Sequence, residues 1–297
     1  MGSGPGESGG RRLPTFLLVG AMKGGTTSLF HYLGGHPQVA TPVYKAPEFF
    51  VEEANWRRGI DWYRRQFPVT GPDVLAIGEA SNAYTKYPRY RGVPERIAAH
   101  LPDVRLLYVI RDPIERIRSH YQTRLAERSE RLPFADAVFS NHIYLDYSRY
   151  ALQIEQYLEH FPRDQLLVIT SEDLRSAREA TMRRVYGFIG VDPDVMPPEL
   201  DRDFYLTKDR AARSPIPLFI RKPLKRRFPV TRRFKEVENN TISVMRRVTG
   251  RSSGPAQRPP RVDISDDVRE RLVAELEEDV RRLRGHLGPT FDGWGIA

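Results

Sequence analysis

The stretch that decides the fold runs from Thr15 to Thr27 and reads TFLLVGAMKGGTT. TFLLVG is an uninterrupted apolar run closed by a glycine. A strand that is apolar at every position has both faces to bury, so it belongs inside a parallel sheet covered on both sides. Thr26 and Thr27 suit the first turn of a helix, Leu29, Phe30 and Leu33 give that helix an apolar stripe, and Gly34-Gly35-His36-Pro37 ends it. Between strand and helix lies Gly20-Ala21-Met22-Lys23-Gly24-Gly25. Glycines let the backbone curl with its N–H groups turned inward, and the helix N-terminus adds partial positive charge, so this junction reads as an anion loop suited to phosphate. Gly20 and Gly25 keep the G-x-x-x-x-G spacing of a nucleoside-triphosphate loop. Thr26, however, stands where that loop has its lysine, and the lysine lies inside, at Lys23.

Outward from this unit, the apolar runs VLAIGE (74–79), VRLLYVIRDP (104–113) and QLLVITSEDL (165–174) repeat the strand pattern. They alternate with helical patterns at VPERIAAHL (93–101), IERIRSHYQTRL (114–125), RYALQIEQYLEHF (149–161) and ATMRRVYGFIG (180–190). Alternation of this kind predicts an α/β fold with a mostly parallel central sheet flanked by helices. ISDDVRERLVAELEEDVRRLRGHLG (264–288) adds a long helix with Ser265 as its cap and acidic residues in its first turn. The expected organisation is a flexible Gly-rich segment over 1–13 and a single P-loop-like domain over 14–297 with a helical C-terminal portion. Within it, 197–260 reads as a basic, irregular or helical insertion.

The chain has 297 residues, enough for a core that needs no staples, and no cysteine, which excludes disulfides, a thiolate nucleophile and cysteine metal sites. A net charge of +9 points to an anionic partner. A signal-type apolar segment and a membrane-length run are both missing from the sequence, so the expectation is a cytoplasmic protein. Nucleic acid is not the expected partner, because neither a recognised module nor an aromatic-interleaved basic platform occurs. The basic run RKPLKRRFPVTRRFK (221–235) suits an anionic acceptor or a membrane surface.

The loop is joined by a second element. YVIRDPIERIRSHY (108–121) is a strand ending in arginine, a proline turn, and a helix with Ser119 eight positions after Arg111. Together with HPQV (36–39), GIDWYRRQF (59–67), GEASNAY (78–84) and the run from Tyr150 to Val191, these residues resemble sulfotransferases that use 3′-phosphoadenosine 5′-phosphosulfate (PAPS), of the bacterial and heparan-sulfate types, over about residues 15–192. The resemblance implies transfer of a sulfuryl group to a hydroxyl or amine of a carbohydrate or small natural product, releasing 3′,5′-ADP with no metal required. It also implies that Lys23 and the amides of Gly24, Gly25, Thr26 and Thr27 hold the 5′-phosphosulfate, and that Arg111 and Ser119 hold the 3′-phosphate. An arginine at a strand's carboxyl end does lie where open α/β sheets bind ligands, and its planar fork matches phosphate oxygens.

The acceptor side departs from the family pattern. Relatives carry their catalytic glutamate in a K-E-x-H-F-F-like segment, whereas this chain reads Lys45-Ala46-Pro47-Glu48-Phe49-Phe50. Ala46 occupies the glutamate position and Glu48 that of the histidine. Glu79, at a strand's carboxyl end, is the second candidate base, with orienting Lys23 as its other reading. Position 80 is alanine where many relatives have a lysine near the sulfate. His31 and His36 are weaker candidates, His36 as a helix-stop residue. Two rival functions remain at this stage: a P-loop kinase or phosphotransferase, opposed by the displaced lysine, and a non-catalytic anion-binding scaffold.

Overall fold

Among the described residues five short strands form one sheet in the order β2-β3-β1-β4-β5, and each of their pairings is parallel. They are β1 Phe16–Gly20, β2 Val39–Ala40, β3 Ala76–Glu79, β4 Arg105–Ile110 and β5 Leu166–Thr170. In this computed structural model residues 10–202 and 261–297 are described, and they fall within one compact unit. Residues 1–9 and 203–260 lie outside the described residues, including the basic run 221–235 and most of the expected insertion. Order begins ahead of Thr15. Arg11, placed by the sequence in a flexible segment, donates to the carbonyls of Arg65 at 2.8 Å and Phe67 at 2.7 Å, and Arg12 reaches the carbonyl of Val74. Backbone carbonyls at the ends of neighbouring loops give these two guanidiniums fixed acceptors that composition does not reveal.

All of β1 is buried, as its apolar run requires. Side chains alternate along a strand, so Leu17 and Val19 enter one layer of the core and Phe16 and Leu18 the other. The first layer is closed by α3 (Val93–His100) and α7 (Tyr150–Leu158), through Val93, Ile97, Ile154 and Tyr157. The second is closed by α1 (Thr26–Gly34) and α9 (Arg178–Ile189), through Leu29, Leu33, Met182 and Val185. Gly78 on β3 is required by this packing, because a Cβ there would run into the ring of Phe16. Helix α4 (Pro113–Ala126) follows β4, with the Asp112 carboxylate accepting from the amides of Ile114 at 2.8 Å and Glu115 at 3.1 Å as its N-cap.

The long C-terminal helix, α10 (Asp266–Leu287), starts where the sequence predicts, although the Ser265 hydroxyl makes no cap hydrogen bond. Leu272, Leu276 and Val280 pack with Ile114 and Ile117 of α4. Asp279 of α10 accepts from the first amides of α7, Ala151 at 3.0 Å and Leu152 at 2.9 Å, so a buried carboxylate meets a helix N-terminus. Among the described residues no helix is long and apolar enough to cross a membrane.

The strand order fixes where a ligand can bind. From β1 the chain leaves toward β2 on one side, and from β4 it leaves toward β5 on the other. The crevice opens where the direction reverses, at the carboxyl ends of β1 and β4. Those ends carry the Gly20–Thr27 loop and Arg111.

Candidate active site

The loop after β1 is tied to β4. Ala21 donates its amide to the Val109 carbonyl at 2.7 Å, and Gly24 donates to the Ala21 carbonyl at 2.9 Å. A Cβ on Gly24 would collide with the Val109 carbonyl oxygen, so glycine is required by close approach. The Gly24 amide is therefore occupied within the loop, and among the amides expected to face a phosphate those of Gly25, Thr26 and Thr27 sit at the start of α1. Lys23 has φ 73° and Gly25 φ 108°. A lysine in the left-handed region costs roughly 1–2 kcal/mol, and here the turn holds it at the tip of the loop.

Arg111 begins two residues beyond Val109, on the same edge of the sheet. Its Nη2 pairs with Glu115 at 3.3 Å, and Arg118 meets the same carboxylate. The buried Nε of Arg111 has no hydrogen-bond partner among the described residues. An unpartnered guanidinium N–H beside an anion loop fits a phosphate group. Ser119, also half-buried, lies two turns into α4, where its carbonyl accepts from the Thr123 hydroxyl at 2.9 Å. Arg116, on the inner side of α4, is fully buried and donates to the Ser148 hydroxyl at 2.6 Å and the Tyr144 carbonyl at 2.7 Å.

On the other flank of β1, the segment Lys45–Phe50 is laced to the carboxyl end of β3. Ala80 donates its amide to the Lys45 carbonyl at 3.0 Å, and Glu48 donates its amide to the Ser81 hydroxyl at 2.9 Å. Lys45 then reaches the anion loop, donating to the Thr27 hydroxyl at 2.7 Å and the Thr26 hydroxyl at 3.3 Å. Burial lowers its ammonium to a pKa of about 8, against the opposing pull of Glu79. No role for Lys45 was read from the sequence; the signal available was a lysine just past the end of an edge strand, on the ligand side.

The two carboxylates differ in setting. Glu79 is fully buried, and the Tyr63 hydroxyl donates to its Oε1 at 3.1 Å. Burial pushes it up to about 7, while the hydroxyls of Ser81, Tyr84 and Tyr63 favour its ionised form and the charge of Glu48 opposes it. Glu48 is half-buried with φ 48°. Burial raises its pKa, and the ammonium of Lys86 pulls it back down. Lys86 was not singled out in the sequence, nor was His120, which burial and then Arg116, Arg124, Lys86 and Lys23 push down to about 2.

His36 is structural. Its Nδ1 accepts from the Gln38 amide at 3.1 Å and its Nε2 lies 3.0 Å from the Asp192 carbonyl oxygen, in keeping with the helix-stop reading. His31 remains within α1. The geometry thus brings Lys23, Gly24, Gly25, Thr26, Thr27 and Arg111 to one crevice, with Glu48 and Glu79 on its β3 side.

A parallel sheet with a glycine-rich loop and helix start after β1 defines a P-loop-like α/β protein. Comparison with known proteins specifies it further. A family model described as the sulfotransferase domain matches residues 13–212, and the chain belongs to the sulfotransferase family. It is 32% identical over 213 residues, 69% of this chain and 51% of the relative, to heparan sulfate glucosamine 3-O-sulfotransferase 3A1 of Mus musculus. It is 30% identical over 202 residues, 61% of this chain and 22% of the relative, to the bifunctional heparan sulfate N-deacetylase/N-sulfotransferase 2 of Homo sapiens. The chain therefore spans about half the length of the first of these relatives and less of the second. A sulfotransferase crystal structure from Alicyclobacillus acidocaldarius shares the fold, with a TM-score of 0.68 and 24% identity over 96% of this chain and 99% of that one.

Proposed function

We propose that the protein transfers a sulfuryl group from PAPS to a hydroxyl or amine of a carbohydrate or small natural-product acceptor, releasing 3′,5′-ADP. The observation that carries this reading is the bonding of the anion loop to Val109, two residues before an arginine with an unpartnered N–H. Two anion-binding elements at one sheet edge suit a donor with phosphate at both its 5′ and its 3′ position. A carbohydrate acceptor is supported by the two relatives, whose names specify heparan sulfate.

When bound, PAPS supplies an activated sulfonate whose transfer develops charge on the 5′-phosphate leaving oxygen. Lys23 at the loop tip stabilises that charge, and the amides of Gly25, Thr26 and Thr27 at the start of α1 orient the 5′-phosphate. Arg111 and Ser119 hold the 3′-phosphate and so select the nucleotide. Glu48 takes the acceptor proton, because of the two candidate carboxylates it is the one with exposed surface. Glu79 is fully enclosed and held by Tyr63, so it acts through Lys45, which it helps keep charged beside Thr27.

The test is transfer of labelled sulfate from PAPS to sugars, phenols and water in parallel. Label on a sugar hydroxyl or amine, lost with Lys23→Ala, is the expected result. No transfer to any acceptor, with 3′,5′-ADP bound no better than 5′-AMP, overturns the reading.

A further inference from the structure

Helix α1 begins without the partners a helix start usually has. Its N-cap is Gly25, no side chain caps its amides, and no acidic residue occupies its first turn. First-turn N–H groups carry partial positive charge and favour an anion. What the fold brings to them is a cation. The Lys45 ammonium donates to the Thr27 hydroxyl at 2.7 Å and to the Thr26 hydroxyl at 3.3 Å, and its Nζ lies 5.9 Å from the centroid of the Phe30 ring, about one turn further along the same helix.

The backbone holds the lysine in this place. Its carbonyl accepts from the amide of Ala80, just past the end of β3, and three residues on the Glu48 amide is held by the Ser81 hydroxyl. Ala80, fully buried, brings no charge of its own. Burial lowers the Lys45 ammonium to about 8 against the pull of Glu79, and the ion pairs among the described residues do not include it. A largely buried ammonium set on the positive end of a helix is repelled by what it touches, and neither hydroxyls nor a ring face neutralises it. A hydroxyl that accepts from an ammonium is also a stronger donor through its own hydrogen. Ammonium, hydroxyls and first-turn amides together make a set complementary to a multiply charged oxyanion.

We propose that Lys45 is a ligand of the donor's 5′-phosphate: seated on the Thr26 and Thr27 hydroxyls, its ammonium binds an oxygen of that phosphate together with the first-turn amides of α1. The inference rests on the sulfotransferase reading above and gives the two lysines different tasks. Lys23 meets charge that develops during transfer. Lys45 meets charge that the phosphate carries throughout, so its contribution is to affinity.

Calorimetry with 3′,5′-ADP and 3′-AMP tests this, because the two ligands differ only in the 5′-phosphate. In Lys45→Gln the preference for 3′,5′-ADP should fall at least about tenfold, while 3′-AMP affinity stays within about twofold of wild type and shows that the variant is folded. Glutamine keeps a donor for the threonine hydroxyls and removes the charge, so a merely structural tie to α1 leaves the preference intact, and that result overturns the proposal. Lys45→Arg keeps the charge and should retain more of the preference than Lys45→Gln; equal losses in the two also overturn it. Should Lys45→Gln lose 3′-AMP as well, Lys45→Met takes its place, and loss of 3′-AMP in both makes Lys45 a structural residue and ends the proposal. Failure of the underlying reading is a different result: wild type transfers no sulfate and binds 3′,5′-ADP no better than 5′-AMP. Lys45 is then judged by 5′-AMP against adenosine. A preference for 5′-AMP that Lys45→Gln loses sustains its role, and one that survives in the variant or is missing in wild type overturns it.

Discussion

The two flanks of β1 bind by different means. On the β4 side, the proposed anion-binding groups are mounted directly on strand ends and a helix start: the loop is tied to Val109, Gly24 is fixed by close approach, and Arg111 lies two residues further on. On the β3 side, the working groups are side chains on a loop, Lys45 and Glu48, laced to Ala80 and Ser81. Groups mounted on strand ends tolerate little change because moving them moves the sheet. On the proposed reading, recognition of the donor would follow chiefly from the fold and choice of acceptor from its loops.

The largest effect that sharpens this contrast is expected from Lys23. Lys23→Ala should lower turnover by about a hundredfold to a thousandfold, with a smaller loss in 3′,5′-ADP affinity, since the ammonium meets charge that develops mainly in the transition state. Steady-state rates beside calorimetry check this. Equal losses in rate and affinity would make Lys23 part of the cradle and erase its catalytic distinction from the amides.

Next comes Glu48→Gln, with turnover reduced roughly a hundredfold and donor affinity unchanged, because the amide keeps the shape but cannot take a proton. An ionised base predicts activity falling as pH drops through the Glu48 pKa, which burial sets above the ordinary carboxylate value. The acid limb should vanish in the variant. A Glu48→Gln enzyme at wild-type rate would shift the proton-accepting role away from the loop and break the comparison on its acceptor side.

A more modest effect belongs to the 3′-phosphate. Wild type should bind 3′,5′-ADP more than about tenfold tighter than 5′-AMP, and Arg111→Met should remove most of that preference while leaving 5′-AMP affinity nearly constant. Calorimetry with both nucleotides decides it, and equal affinities in wild type would detach Arg111 from the donor.

The two flanks were also unequally legible in the sequence. β1, the loop and α1 were readable because glycine spacing and an unbroken apolar run leave few alternatives, whereas Arg111 was singled out through the family resemblance of 108–121. The long α10 announced itself through Leu272, Leu276, Val280 and Leu283 at helical spacing. The two-residue β2 was not, since Val39 and Ala40 form a strand through pairing with Ala76 and Ile77, a tertiary fact. Lys45 was invisible as a partner of Thr26 and Thr27 because the contact spans most of a crossover. The difference in burial on which the proposed choice between Glu48 and Glu79 rests is not encoded in spacing.

The smallest rate effect is expected from Glu79→Gln, a few-fold in turnover, because the residue acts through Lys45 and not on the acceptor. Its clearer signature is in stability. Burial raises the Glu79 pKa from an ordinary 4.5 to about 7, so across that range the folded protein holds a proton that the unfolded chain has released. Stability therefore falls as pH rises from about 4.5 to 7, and the loss is complete above the folded pKa. Glu79→Gln cannot ionise, so its thermal midpoint should vary less over this window than that of wild type. Thermal melts at pH values across the window test the sign directly. If wild type grows more stable as pH rises there, or if the variant retains the same slope, Glu79 is not the proton-holding acid at the end of β3. If instead the variant loses turnover as severely as Glu48→Gln while the slope flattens as expected, Glu79 takes the acceptor proton after all, and the β3 flank is built from a strand end just as the β4 flank is.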